Sequence, residues 1–176
     1  MIVELEAAWV RHGFELADLI LRKSRDSFVH VVMYSGKEFI DIDELYHAIE
    51  PFIHGVRNVA FSWASSIESF VYYLSLLPET ENGTVFIILP YPRDMPSTPM
   101  ASKLHMLRQA MVSAAKRGWE IVVINPMENR VSRGNEVFIA NNTLKLVFDE
   151  NTGEVRVLQY RVPVYKPLIL LGVKYF

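Results

Sequence analysis

Three consecutive stretches decide the fold: Thr84-Val-Phe-Ile-Ile-Leu89, the stripe of Leu104, Leu107, Met111, Val112 and Ala115, and Glu120-Ile-Val-Val-Ile124. The first and last are short, rich in β-branched residues and almost continuously apolar, which is how strands buried on both faces read. The stripe between them keeps the 3.6-residue period of a helix over residues 101–117, and Gly118 ends it. Strand, helix, strand is a parallel βαβ unit with a right-handed crossover.

Working outward, Phe28-Val-His-Val-Val-Met-Tyr34 and Asn58-Val-Ala-Phe-Ser-Trp63 read as two more strands. Between them a helix spans Asp43 to Ile53, with Asp41 or Asp43 as its N-cap. Ser65 or Ser66 caps a further helix carrying Ile67, Phe70, Val71, Leu74 and Leu77 on one face, and Pro78 stops it. Residues 2–23 read as an opening helix through Leu5, Ala8, Trp9, His12, Leu16, Leu19 and Ile20, closed by Arg22, Lys23 and Arg25. From Val137 onward the pattern changes to strands, near 137–140, 144–148, 155–162 and 168–175, with Asp149-Glu-Asn-Thr-Gly153 as a hairpin connection. The expected order is α-β-α-β-α-β-α-β and then a meander. That makes residues 1–176 a single three-layer α/β domain whose mostly parallel sheet ends in antiparallel strands.

Composition limits the chemistry. The chain has 176 residues, 51% of them hydrophobic, enough for a real core. It carries a net charge of −2, so binding nucleic acid by bulk charge is disfavoured and only a local basic patch is left open. It has no cysteine, which removes disulfides, thiol catalysis and cysteine-ligated metal centres. No apolar run approaches the roughly 18 residues of a membrane span. Met1-Ile-Val-Glu-Leu-Glu6 lacks the basic start of a signal peptide. A cytoplasmic location without membrane contact is expected.

Candidate sites follow from where strands end. Ligands of open α/β sheets bind beyond the carboxyl ends of the strands. Ser35, Ser62, Ser65 and Asn125 are the polar residues near those ends. Ser65 and Ser66 also start a helix whose N–H groups suit an anion, although the same serines read equally as its cap. His47 and His54, with Asp43 one turn earlier, could hold zinc only with help from a third element, because i and i+7 lie about 10 Å apart along a helix. His30, inside an apolar strand, reads as a hydrogen-bonded core histidine. No G-x-S-x-G elbow is present.

The order of elements resembles the core of RecA-type ATPases, especially the archaeal RadA and RadB recombinases. The likeness rests on Val29-His-Val-Val-Met-Tyr34 with the helix at Leu45, and on Val85-Phe-Ile-Ile-Leu89. It continues through Leu104-His-Met-Leu-Arg-Gln-Ala, Gly118-Trp-Glu-Ile-Val-Val-Ile-Asn125 and the closing run Asn142-Thr-Leu-Lys-Leu-Val-Phe, Gly153-Glu-Val-Arg-Val-Leu and Arg161-Val-Pro-Val. The family's phosphate-binding loop, G-x-x-x-x-G-K-[ST], is missing. On this reading the chain begins with the helix that follows that loop, without the strand before it. Leu89 and Pro90 stand where the metal-binding Asp belongs, and Glu38 aligns with the catalytic glutamate only through a gap.

The resemblance therefore implies a non-hydrolysing, cofactor-free paralogue acting by binding, in DNA recombination or repair. Its partner would be a recombinase-type protein or single-stranded DNA, in a homo- or hetero-oligomer. It places a first DNA-binding loop at Pro90–Pro99, with Tyr91 and Arg93, and a second at Met127–Gly134, with Arg130 and Arg133. Two other readings stand beside it. One is a regulatory protein-interaction module with no nucleic-acid role. The other is a small hydrolase or nucleotide binder around Ser35, Ser62 and Asn125.

Overall fold

β-branched runs of six or seven residues cannot bury both faces alone, and here they line up side by side under two layers of helices. A computed structural model describes residues 2–6, 13–36, 43–79, 83–90, 98–125, 143–149 and 154–159. Among them are seven strands: β1 (Ile2–Glu6), β2 (Phe28–Tyr34), β3 (Val59–Ala64), β4 (Gly83–Ile88), β5 (Glu120–Asn125), β6 (Thr143–Asp149) and β7 (Glu154–Gln159). Four helices join them: α1 (Gly13–Ser24), α2 (Asp43–Ile53), α3 (Ile67–Leu76) and α4 (Thr98–Lys116). The strands form one sheet in the order β3-β2-β4-β5-β1-β6-β7. All neighbours from β3 to β6 are parallel, and β7 returns antiparallel along β6 with Leu146 opposite Val157.

The chain moves one way along the sheet from β1 to β2 to β3, and the other way from β3 to β4 to β5. Right-handed crossovers then place α1 and α2 on one face and α3 and α4 on the opposite face. The packing agrees: α1 contacts α2, and α3 contacts α4. Between the layers, Val29, Val31, Val85, Phe86, Ile121 and Val122 are wholly buried. Burying each such side chain contributes about 1.5–3 kcal/mol. Leu16 and Ile20 of α1, and Leu107 and Met111 of α4, close the two faces. Gly118, at φ 101°, ends α4 in a conformation that glycine adopts at little cost.

The opening helix expected over residues 2–23 is corrected. Its first part is the strand β1, and the described helix is Gly13–Ser24. The reason lies in the alternation Val3-Glu4-Leu5-Glu6, which has period two. Val3 and Leu5 pair with Val122 and Ile124 on β5, so β1 fills a central place in the sheet. Tertiary pairing overrides the helical periodicity drawn through Leu5, Ala8 and Trp9. A strand therefore does precede the first helix, and Ala7–His12 connects the two. The strands expected near 137–140 and 168–175 lie outside the described residues.

Candidate functional site

The carboxyl ends of β3, β2, β4 and β5 stand in that order, and the polar residues expected there can be placed one by one. Ser35 follows β2 directly. Its N–H donates to the Ala64 carbonyl at 2.8 Å, which extends the β2–β3 ladder past the strand end. Gly36 comes next and packs so closely that a Cβ there would collide with the Tyr34 hydroxyl and the Ser65 carbonyl oxygen. Only glycine fits, and the chain, not a ligand, fills this corner.

Ser65 and Ser66 lead into α3. Ser66 is the N-cap in extended conformation, and its Oγ accepts from the Ser69 N–H at 3.2 Å. The Ser65 and Ser66 hydroxyls also meet Ser69 Oγ, at 3.5 and 3.1 Å. The helix thus caps itself and spends on its own serine an N–H that an anion would use. Asn125, fully buried, closes β5 two strands from Ser35, about 10 Å away at normal strand spacing. Buried Leu89 lies between, its N–H donating to the Ile124 carbonyl at 2.9 Å. Ser35 and Ser65 are neighbours, then, while Asn125 stands apart.

Ser62 is not at the carboxyl edge. It lies inside β3, opposite Val32, and its side chain bonds the Tyr73 hydroxyl on α3. That hydroxyl also meets His30 Nδ1, so Ser62, Tyr73 and His30 form a polar chain between sheet and helix. Burial pushes the Tyr73 phenol above its ordinary range, and the Ser62 hydrogen bond pulls partly against it. The His30 ring stands edge-on to Tyr73 and to Trp119, and against Phe28. Each member serves packing between β2, β3 and α3.

Among the described residues His47 and His54 are not brought together with a third ligand. His54 Nδ1 lies 3.3 Å from Glu50 Oε1, one turn back on the same helix. Among the described residues no group of three or more His, Asp or Glu side chains could hold a metal ion. Among the same residues no helix is long and apolar enough to cross a membrane. Tyr91, Arg93, Arg130 and Arg133 lie outside the described residues, as does Glu38.

A groove lies elsewhere, at the end of the described sheet. Tyr46, Glu50, Ile53, His54 and Gly55 from α2 and its exit turn, with Val59 and Phe61 from β3, line a groove of about 270 Å³. Tyr46, Phe61 and Trp63 form a triangle of rings with centroids 5.0–5.3 Å apart. Trp63 remains 44% exposed, which is unusual for the largest apolar side chain. The sequence carries the signal in two overlaid periods: Tyr46, Glu50 and His54 at helical spacing, and Val59, Phe61 and Trp63 at strand spacing. Neither period alone tells a groove from ordinary packing, because the decisive fact is that β3 ends the sheet among the described residues.

No protein-family model matches this chain, and no curated protein matches it significantly.

Proposed function

We propose that the chain is a degenerate RecA-like paralogue that works by binding, without hydrolysing ATP, as an accessory in DNA recombination or repair. The observation that carries this reading is the connection between β1 and α1. In a parallel α/β sheet the loop from a central strand into its helix is where backbone N–H groups and a lysine cradle phosphates. Here β1 and α1 flank a connection that reads Ala7-Ala-Trp-Val-Arg-His12, with no Gly-Lys pair. Without that clamp, phosphoryl transfer lacks charge compensation. The mostly parallel sheet closing in the β6–β7 hairpin supports the same reading.

A second reading keeps the fold and drops the nucleic acid: a protein-interaction module. It is favoured by the aromatic groove on the last strand of the sheet, by the net charge of −2, and by Glu128 and Glu136 beside Arg130 and Arg133.

Fluorescence anisotropy of a labelled single-stranded oligonucleotide at two salt concentrations separates the two. The recombination reading expects binding that weakens with salt, and weakens again in Arg93→Ala, Arg130→Ala and Arg133→Ala. Absence of binding at low salt removes DNA as the partner and leaves the interaction module. A thermal shift with ATP tests the missing clamp: a nucleotide at about 100 times its Kd would add about 2.7 kcal/mol, and none is expected.

A further inference from the structure

Among the described residues β3 is the end strand of the sheet, and its ladder to β2 fixes which way its backbone faces. The Val29 N–H donates to the Asn58 carbonyl and the Ser35 N–H to the Ala64 carbonyl, both at 2.8 Å. In a parallel ladder the inward-facing residues alternate, so even-numbered residues of this stretch turn their polar groups to β2. Phe61 and Trp63 turn theirs to the outer edge, while the Val59 N–H is taken by the Val56 carbonyl at 3.0 Å. Of these strand residues Val59 and Phe61 line the α2 groove, and the Trp63 ring meets Tyr46 and Phe61 beside it.

The groove has a sign as well as a shape. Its wall carries the Glu50 carboxylate, one-third exposed, and its lining residues include neither Lys nor Arg. The nearest cation-forming group in the groove is His54, four-fifths exposed and 3.3 Å from Glu50, a partner that a bound ammonium or guanidinium can displace. The faces of Tyr46 and Phe61 beside the carboxylate favour the same kind of group.

We propose that the outer edge of β3 and the groove under α2 are a docking site for an extended, basic segment of a partner protein. The segment adds a strand to β3 through the outward N–H and C=O groups of Phe61 and Trp63. One Lys or Arg side chain lies over Tyr46 and Phe61 against Glu50, and apolar neighbours cover Trp63. The proposal rests on the protein-binding reading above and names the partner's chemistry.

The test uses the full chain and three labelled synthetic peptides followed by anisotropy. The first is an alternating sequence, Val-Lys-Val-Arg-Val-Lys-Val. The second has Glu at each basic position. The third is the basic peptide with alternate backbone amides N-methylated, which removes the donors of strand pairing. Binding of the basic peptide alone is expected, with Glu50→Lys weakening it about tenfold through charge reversal. Trp63→Arg, at a half-exposed position, is expected to weaken it further while thermal unfolding stays near that of the parent chain. Equal binding of basic and acidic peptides, undiminished binding of the N-methylated one, or no binding of any overturns the proposal. Self-association that Trp63→Arg abolishes, with no peptide bound, overturns it in favour of a second copy. If no peptide binds but the single-stranded oligonucleotide does, the interaction-module reading falls too; if neither binds, only this surface falls.

Discussion

The two ends of the parallel strands are built differently. At the amino end, side chains from distant parts of the chain reach across elements. Lys23 of α1 bonds Glu120 at 2.6 Å, and Glu120 accepts from the Thr84 hydroxyl at 3.0 Å. Arg117 donates to the carbonyls of Leu74 and Leu77 at 2.6 and 3.0 Å, satisfying the end of α3. Trp119 donates from Nε1 to the Pro78 carbonyl at 2.9 Å. At the carboxyl end the polar contacts named are shorter in range, Ser35 to the neighbouring strand and Ser66 to its own helix, with the exposed Glu68–Lys103 pair crossing from α3 to α4. The contrast teaches that tertiary stability is concentrated at one end. The other end, where α/β domains commonly bind ligands, is closed by short-range backbone bonding.

The largest effect that would test this contrast is at Trp119, which is wholly buried between β5, α3 and His30. Trp119→Ala is expected to cost about 3–5 kcal/mol in urea unfolding, from a cavity and an orphaned Pro78 carbonyl. By comparison, Ser35→Ala changes a hydroxyl where only the backbone N–H is engaged, and is expected to stay within about 0.5 kcal/mol. If the two variants fall by similar amounts, the asymmetry between the ends is wrong.

Next in size is the ion pair. Lys23 and Glu120 are about one-sixth exposed, so neither is well hydrated. Lys23→Met leaves Glu120 with Thr84 as its remaining named partner, at an expected cost of about 2–3 kcal/mol. Adding Glu120→Gln removes the stranded charge and is expected to recover much of that loss. A double-mutant cycle by denaturant unfolding measures the coupling. A coupling near zero would show that Thr84 and water already satisfy the carboxylate.

Much of this architecture was legible before the coordinates. β2, α2 and α4, with their long apolar periods, begin and end within a few residues of where periodicity places them. β1 was not. Its five residues, Ile2–Glu6, are too short for an alternation to outweigh the run Leu5, Ala8, Trp9, and its strand character comes from β5 and β6 on either side. Ser62 illustrates the limit for sites. A serine in a strand reads the same whether it faces a crevice or a tyrosine on a helix 11 residues later in the chain. Ser66 shows the opposite case, since the sequence narrows the cap to Ser65 or Ser66 and Ser66 is the cap observed. Local chemistry is written locally. The groove under α2 depends on strand order, which no single segment encodes.

The carboxyl end has its own graded test. Ser66 accepts from a helix N–H, whereas Ser65 is exposed and reaches only another hydroxyl at 3.5 Å. Ser66→Ala is expected to lower stability by about 1 kcal/mol, and Ser65→Ala by a few tenths. Thermal unfolding of both variants side by side decides it. Equal losses would mean that Ser65 shares the cap.

The smallest expected effect joins the two helices of one layer near the same end. Glu68, in the first turn of α3, meets Lys103 of α4 at 3.3 Å. A backbone hydrogen bond at the helix start, more than the lysine, holds its carboxyl below the ordinary value of 4.5, against a small desolvation that raises it. A carboxyl whose folded pKa is depressed contributes stability that is complete above the unfolded value and is lost as pH falls through the folded one. The window is therefore below about 4.5. Both groups are substantially exposed, so the contribution is expected to stay under about 0.5 kcal/mol and to shrink in salt. Glu68→Gln should then lower Tm slightly at pH 7 and not at all near pH 3. A difference between the variants that persists at pH 3 would assign the loss to the helix start rather than to charge.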